Sequence, residues 1–215
     1  MATGVIISKK AFDFIIGFEV GSETLYNKKY IHPVVPGEES GITIGIGYDL
    51  GQVSAVQIKK DWKGYVSDND LALLMKGSGL KKNAAKQKVT EMKNVTVSFH
   101  DAVEVFINTL EKYAINALKV YPGLDQLFYD AQGAIISLVY NRGTLIDNSD
   151  RRKEMKELID CIAKKDYEKI AFQIRSMKRL WNINKSRGLI LRREDEAILV
   201  EKSNRLYTEE EKMII

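Results

Sequence analysis

A helix that is apolar on every side has to be surrounded by other chain. The segment YDAQGAIISLVYNRG, Tyr129 to Gly143, is apolar nearly all round. Its cover must come from its neighbours, and their patterns are helical too. SFHDAVEVFINTLEKYAINALKVYP starts with Ser98 and Asp101 in capping-box order. It carries an apolar stripe from Val103 through Phe106, Leu110 and Ala114 to Leu118, and stops at Pro122. Amphipathic pieces follow at 151–164 and 166–179, and SRGLILRREDEAILVEKSNRL supplies a last long helix.

Upstream the elements are shorter. Residues 8–20 read as a helix capped by Ser8, with Phe12, Ile15, Ile16 and Glu19 on one face. Residues 21–41, with Pro33 and Pro36, read as loop or hairpin. QVSAVQIKKDW and SDNDLALLMKG predict two short helices, the second capped by Ser67 with Asp70 at its N3 position, GSGL at 77–80 a turn, and KKNAAKQKV an exposed helix. No repeat or low-complexity linker interrupts the chain. The expected architecture is α+β and mostly helical: one domain over 1–215, with a small helix-plus-strand lobe at 1–50 and a helical body at 51–215.

Composition narrows the partners. No apolar run approaches the roughly 18 residues of a membrane span, so no stable membrane insertion is expected. Cys161, the single cysteine, excludes an internal disulfide and reads as core filler. His32 and His100 lack ligand spacing, so neither metal nor cofactor is expected. The net charge of +4 is uneven: Arg142–Arg193 holds 15 basic and 7 acidic residues, +8, leaving −4 elsewhere. That asymmetry fits an anionic polymer as partner or, equally, a set of solvated helix faces. Basic residues without aromatic interleaving argue against nucleic acid. The start, MATGVIISKKAFDF, lacks a signal-peptide pattern, so action outside the cytoplasm would need another export route.

The stretch GITIGIGYDLG, Gly41 to Gly51, carries the chemistry. Read as one extended strand, it places Ile42, Ile44 and Ile46 on one face and Thr43, Gly45, Gly47 and Asp49 on the other. Glycine-lined backbone beside a hydroxyl and a carboxylate lets a flat ligand approach closely. Glu19, on an apolar stripe, is a second carboxylate. Burial would disfavour its charged form, the property a general acid needs, unless the helix rolls it into water at Gly21. Asp49 is open to a simpler role, a turn acid capping the segment after Gly51. Two carboxylates in unlike surroundings flanking a groove are the arrangement that hydrolyses a glycosidic bond.

FEVGS followed by GITIGIGYDLG resembles the phage-type lysozymes, and the YDLG extension is most similar to the pesticin-like muramidases. DAQGAIISLVYNRG and GLILRREDEAIL resemble the buried helix and the GL-x-x-RR-x-x-E-x-x-L helix of that family; 52–97 matches nothing specific. The resemblance implies a lysozyme-like fold with an active-site cleft between the lobes, and cleavage of the β-1,4 bond between N-acetylmuramic acid and N-acetylglucosamine. It implies Glu19 as general acid, Thr43 as the water-positioning hydroxyl and Asp49 as second acid, with Gly45, Gly47 and Tyr48 against the sugar. The common phage pattern has an aspartate at the position of Gly37, so Glu38 and Glu39 compete with Asp49 for the second role. Arg192 and Arg193 read as structural ion-pairing. A lytic transglycosylase using Glu19 alone and an inactive wall-binding module are the alternatives. The implied partners are peptidoglycan glycan strands, with an immunity protein or delivery machinery for a phage endolysin, bacteriocin or injected effector.

Overall fold

The computed structural model describes residues 5–37 and 39–215, an α+β fold that is mostly helical. In chain order the elements are β1 (Ile6–Ser8), α1 (Lys9–Val20), α2 (Glu23–Lys29), β2 (Thr43–Ile44), β3 (Tyr48–Asp49), α3 (Ala55–Trp62), α4 (Asp68–Met75), α5 (Lys82–Lys88), α6 (Phe99–Val120), α7 (Tyr129–Arg142), α8 (Lys153–Ala163), α9 (Tyr167–Ser176), α10 (Ile183–Glu201) and β4 (Lys212–Ile214). β2 and β3 form one antiparallel pair, with Thr43 opposite Asp49. β1 and β4 form another, with Ile6 opposite Ile214.

The expected capping signals are in place. The Ala11 N–H donates to Ser8 Oγ (3.0 Å), Asp70 N–H to Ser67 Oγ (3.1 Å) and Asp101 N–H to Ser98 Oγ (3.0 Å). Each satisfies a donor that the helix start leaves without a partner. α2 lies where the sequence pattern predicts loop or hairpin. It is capped by Ser22, carries Glu23 in its first turn and two lysines in its last, and buries Tyr26.

The chain forms two compact units. One is Ile16–Thr109; the other is Leu110–Ile215 with the chain start up to Ile15. The division expected at residue 50 therefore falls inside a unit. The physical reason is that a two-stranded hairpin cannot bury its apolar face alone. Leu50 packs at Gly77, and Trp62 of α3 lies against Gly45 and Tyr48, so the helices after residue 50 complete the hairpin's core.

In the second unit α7 is buried from Asp130 to Val139, with α10 and β1 among its neighbours. Gly133 lets α7 meet α1, since a Cβ there would collide with that of Ala11. Glu196 of α10 is fully buried and accepts from Ser137 of α7 (2.6 Å) and Arg193 (2.7 Å), with Arg192 at 3.4 Å. Removing one partner would leave a buried charge uncompensated. The Arg-Arg pair thus has the structural ion pairing read from sequence.

Cys161 is buried on α8. Burial first, then the charges of Asp166 and Asp160, push its thiol up from the usual range. Since the thiolate is the reactive form, the native thiol should react with Ellman's reagent about 100-fold more slowly than in denaturant. Equal rates in both conditions would contradict a buried, inert Cys161.

Candidate active site

The central stretch is a hairpin and not one extended strand. Gly45 (φ +56°) and Gly47 (φ +72°) flank Ile46 in the turn, and both adopt the left-handed backbone that side chains resist. Alternation survives the reversal. Ile42, Ile44 and Ile46 are all buried, and Thr43 faces the other way.

On that other side lies a cavity of about 190 Å3 within the unit Ile16–Thr109. Glu19 and Val20 line it from the end of α1, Thr43, Gly45 and Gly47 from the hairpin, and Tyr30, Val34 and Pro36 from the segment between. Each wall is fixed by local structure. Gly21, at φ +82°, ends α1 with its N–H on the Gly17 carbonyl (3.0 Å), which sets the position of the half-buried Glu19. Thr43 is held on both sides. Its N–H donates to Val34 O (2.7 Å), its carbonyl accepts from Val34 N–H (2.9 Å), and Asp49 pairs with it across the hairpin. Tyr30 is the residue that sequence reasoning missed. It closes α2, so overlooking that helix removed it from view.

Asp49 occupies the same face as Thr43 but does not line the cavity. Its Oδ1 accepts from Gly51 N–H (2.8 Å), and its Oδ2 accepts from Gln52 Nε2 (3.1 Å) and Gly41 N–H (3.4 Å). These contacts explain the two outer glycines. A Cβ on Gly41 would run into the Asp49 carboxylate and lie 2.8 Å from Gly51 N; one on Gly51 would run into the Leu80 carbonyl. The turn-acid role of Asp49 is therefore realised in its hydrogen bonds.

Tyr48, expected against the ligand, lies elsewhere. It stands opposite Ile44, on the isoleucine face, and is 8% exposed. Its hydroxyl donates to Asp61 Oδ2 (2.8 Å), and its ring meets Trp62 edge-on at 5.5 Å. Burial first, then the hydrogen bond and charge of Asp61, push the phenol up from its usual range. Glu39 is exposed and paired with Lys82 at 2.7 Å. Glu38 lies outside the described residues.

The cavity thus combines a carboxyl, a hydroxyl, a phenol and glycine backbone. That set can donate a proton, position a water and accept a flat polar ring. Among the described residues no group of three or more His, Cys, Asp or Glu is placed to hold a metal ion. No helix among them is long and apolar enough to cross a membrane.

Residues 12–130, more than half of the chain, match the family described as Domain of unknown function (DUF8812). The match includes every residue of the cavity. No curated protein matches the chain.

Proposed function

The chain belongs to the DUF8812 family, and from the chemistry of its cavity we propose that it is a lysozyme-like peptidoglycan hydrolase, an N-acetylmuramidase. The observation that carries this reading is the convergence of Glu19, Thr43 and the Gly45 and Gly47 backbone on one cavity. Glu19 protonates the leaving glycosidic oxygen as the C1–O bond breaks. A water held by Thr43 attacks C1 and gives its proton to a base. We assign that second role to Asp49, which pairs with Thr43 across the hairpin although its carboxylate does not line the described cavity. A carboxylate offers about four lone-pair sites, so the bonds it makes to Gly41, Gly51 and Gln52 leave acceptor capacity. The substrate is the glycan strand of peptidoglycan.

The engagement of Asp49 in the hairpin favours one alternative, a lytic transglycosylase that needs only Glu19. In that reaction the muramyl 6-hydroxyl attacks C1 and no water is activated. Asp49→Asn separates the two. Hydrolysis by two acids should lose about 100-fold or more in rate, whereas the single-acid reaction should stay within a few-fold. Circular dichroism would verify the fold of the variant.

The test of the reading itself is the fall in turbidity of purified sacculi on adding wild-type protein. Clearing is expected; sacculi that stay intact under conditions where a known muramidase clears them would overturn the proposal.

A further inference from the structure

The unit that contains residues 110–215 holds another cavity, about 460 Å3, at the end of α7. Arg142, Arg151 and Arg152 line it together with Trp181, Asn141 and Ser149. Asp147, the acid of this lining, turns its carboxylate to Ser149, accepting from the backbone N–H (2.8 Å) and the hydroxyl (2.5 Å). Among the described residues none of the three arginines is ion-paired to a carboxylate, in contrast to other cations of the basic stretch. Arg175 binds Glu194 and Glu201, Arg179 binds Asp150 and Glu154, and Arg193 binds Glu196. Three of the basic residues that make no ion pair to a carboxylate are thus gathered at one cavity.

The cluster is built and not merely flexible surface. Arg142 is held by the Arg151 carbonyl (2.5 Å) and Met155 Sδ (3.4 Å), and Arg152 by the Arg142 carbonyl (2.8 Å) and Met155 Sδ (3.0 Å). Arg142 lies over the Trp181 ring at 5.2 Å from its centroid. Arg193, fully buried, is 6.0 Å from the same ring, and its Nε and Nη1 have no hydrogen-bond partner. Burial, then the charges of Arg152, Arg193 and Arg151, push the Arg142 guanidinium down to about 10. Like charges brought this close are stabilised by an anion among them, and guanidinium forks match the oxygens of carboxylate and phosphate.

We propose that this cavity binds an oxyanion, a carboxylate or phosphate group, on a ligand that also contacts Trp181. The proposal does not rest on the glycosidase reading, because it uses none of the residues of the Glu19 cavity.

The experiment titrates the full chain with inorganic phosphate and, separately, with glutarate, each against sodium chloride of equal ionic strength, and follows tryptophan fluorescence. The chain has two tryptophans, and Trp62 is fully buried, so a response absent from Trp181→Phe reports this cavity. A saturable response to at least one anion, absent with chloride, is expected; the tighter of the two identifies the source as carboxylate or phosphate. Arg142→Gln should weaken it about tenfold, the value of a charge-assisted hydrogen bond. Arg151→Gln, at an exposed position that should leave the fold intact, should weaken it about threefold. No saturable response to either anion, or an affinity that Arg151→Gln leaves unchanged, would overturn the assignment.

Discussion

Glu19→Gln should lower the rate of wall clearing by about 1,000-fold while leaving the far-ultraviolet circular dichroism spectrum unchanged. An amide keeps the shape of the acid and its hydrogen bonding but cannot give up a proton to the leaving oxygen. Glu19 is also the carboxylate that the described cavity lining contains. A loss smaller than about tenfold would remove Glu19 from the acid role and with it the account of the cavity. A variant that unfolds would be replaced by Glu19→Asp, which keeps the acid but withdraws it by one methylene and should lose activity by reach alone.

Gly41→Ala should cost about 3 kcal/mol of stability. The added methyl has nowhere to go: it meets the Asp49 carboxylate on one side and Gly51 backbone on the other. Relief requires Asp49 to swing away, which would release the N–H groups of Gly41 and Gly51 and loosen the start of the turn that follows β3. Gly17→Ala is the natural control. That glycine lies in α1, exposed, with open space where a Cβ would sit, so alanine should stabilise by up to about 1 kcal/mol through helix propensity. Urea denaturation of the two variants reads both signs. A Gly41→Ala protein as stable as wild type would show that Asp49 does not organise the hairpin.

What the amino-acid sequence made legible was mostly local. Ser8, Ser67 and Ser98 each announce a helix start because a hydroxyl cap needs only the next three residues. The burial of α7 follows from its composition alone. The pairing of β1 with β4 escaped because Ile6 and Ile214 meet across nearly the whole chain, and three-residue strands leave no periodicity to read. α2 escaped because seven residues close to two prolines look like a loop until Tyr26 is seen buried.

The candidate site divides along the same line. Glu19 was legible from its place on a helical stripe and Thr43 from its parity with the glycines, and both line the cavity. Parity also had the information about Tyr48: an even-numbered residue shares the face of Ile42 and Ile44, so its expected contact with ligand ran against the alternation. Asp49 shows the limit of reading residue types. Its face was correct, but the direction of its carboxylate depends on Gly41 and Gly51 closing around it, a three-way packing that no spacing rule encodes.

Under the proposed function, this chain cuts the glycan strand at a sugar held beside Glu19 and Thr43. Mass spectrometry of the soluble fragments from wild-type digestion of purified sacculi, with and without borohydride treatment, addresses it most directly. Disaccharide-peptide fragments ending in reducing N-acetylmuramic acid, each gaining two mass units on borohydride reduction, are the expected result. Fragments cut only within the peptide, or no soluble fragments at all, would contradict it.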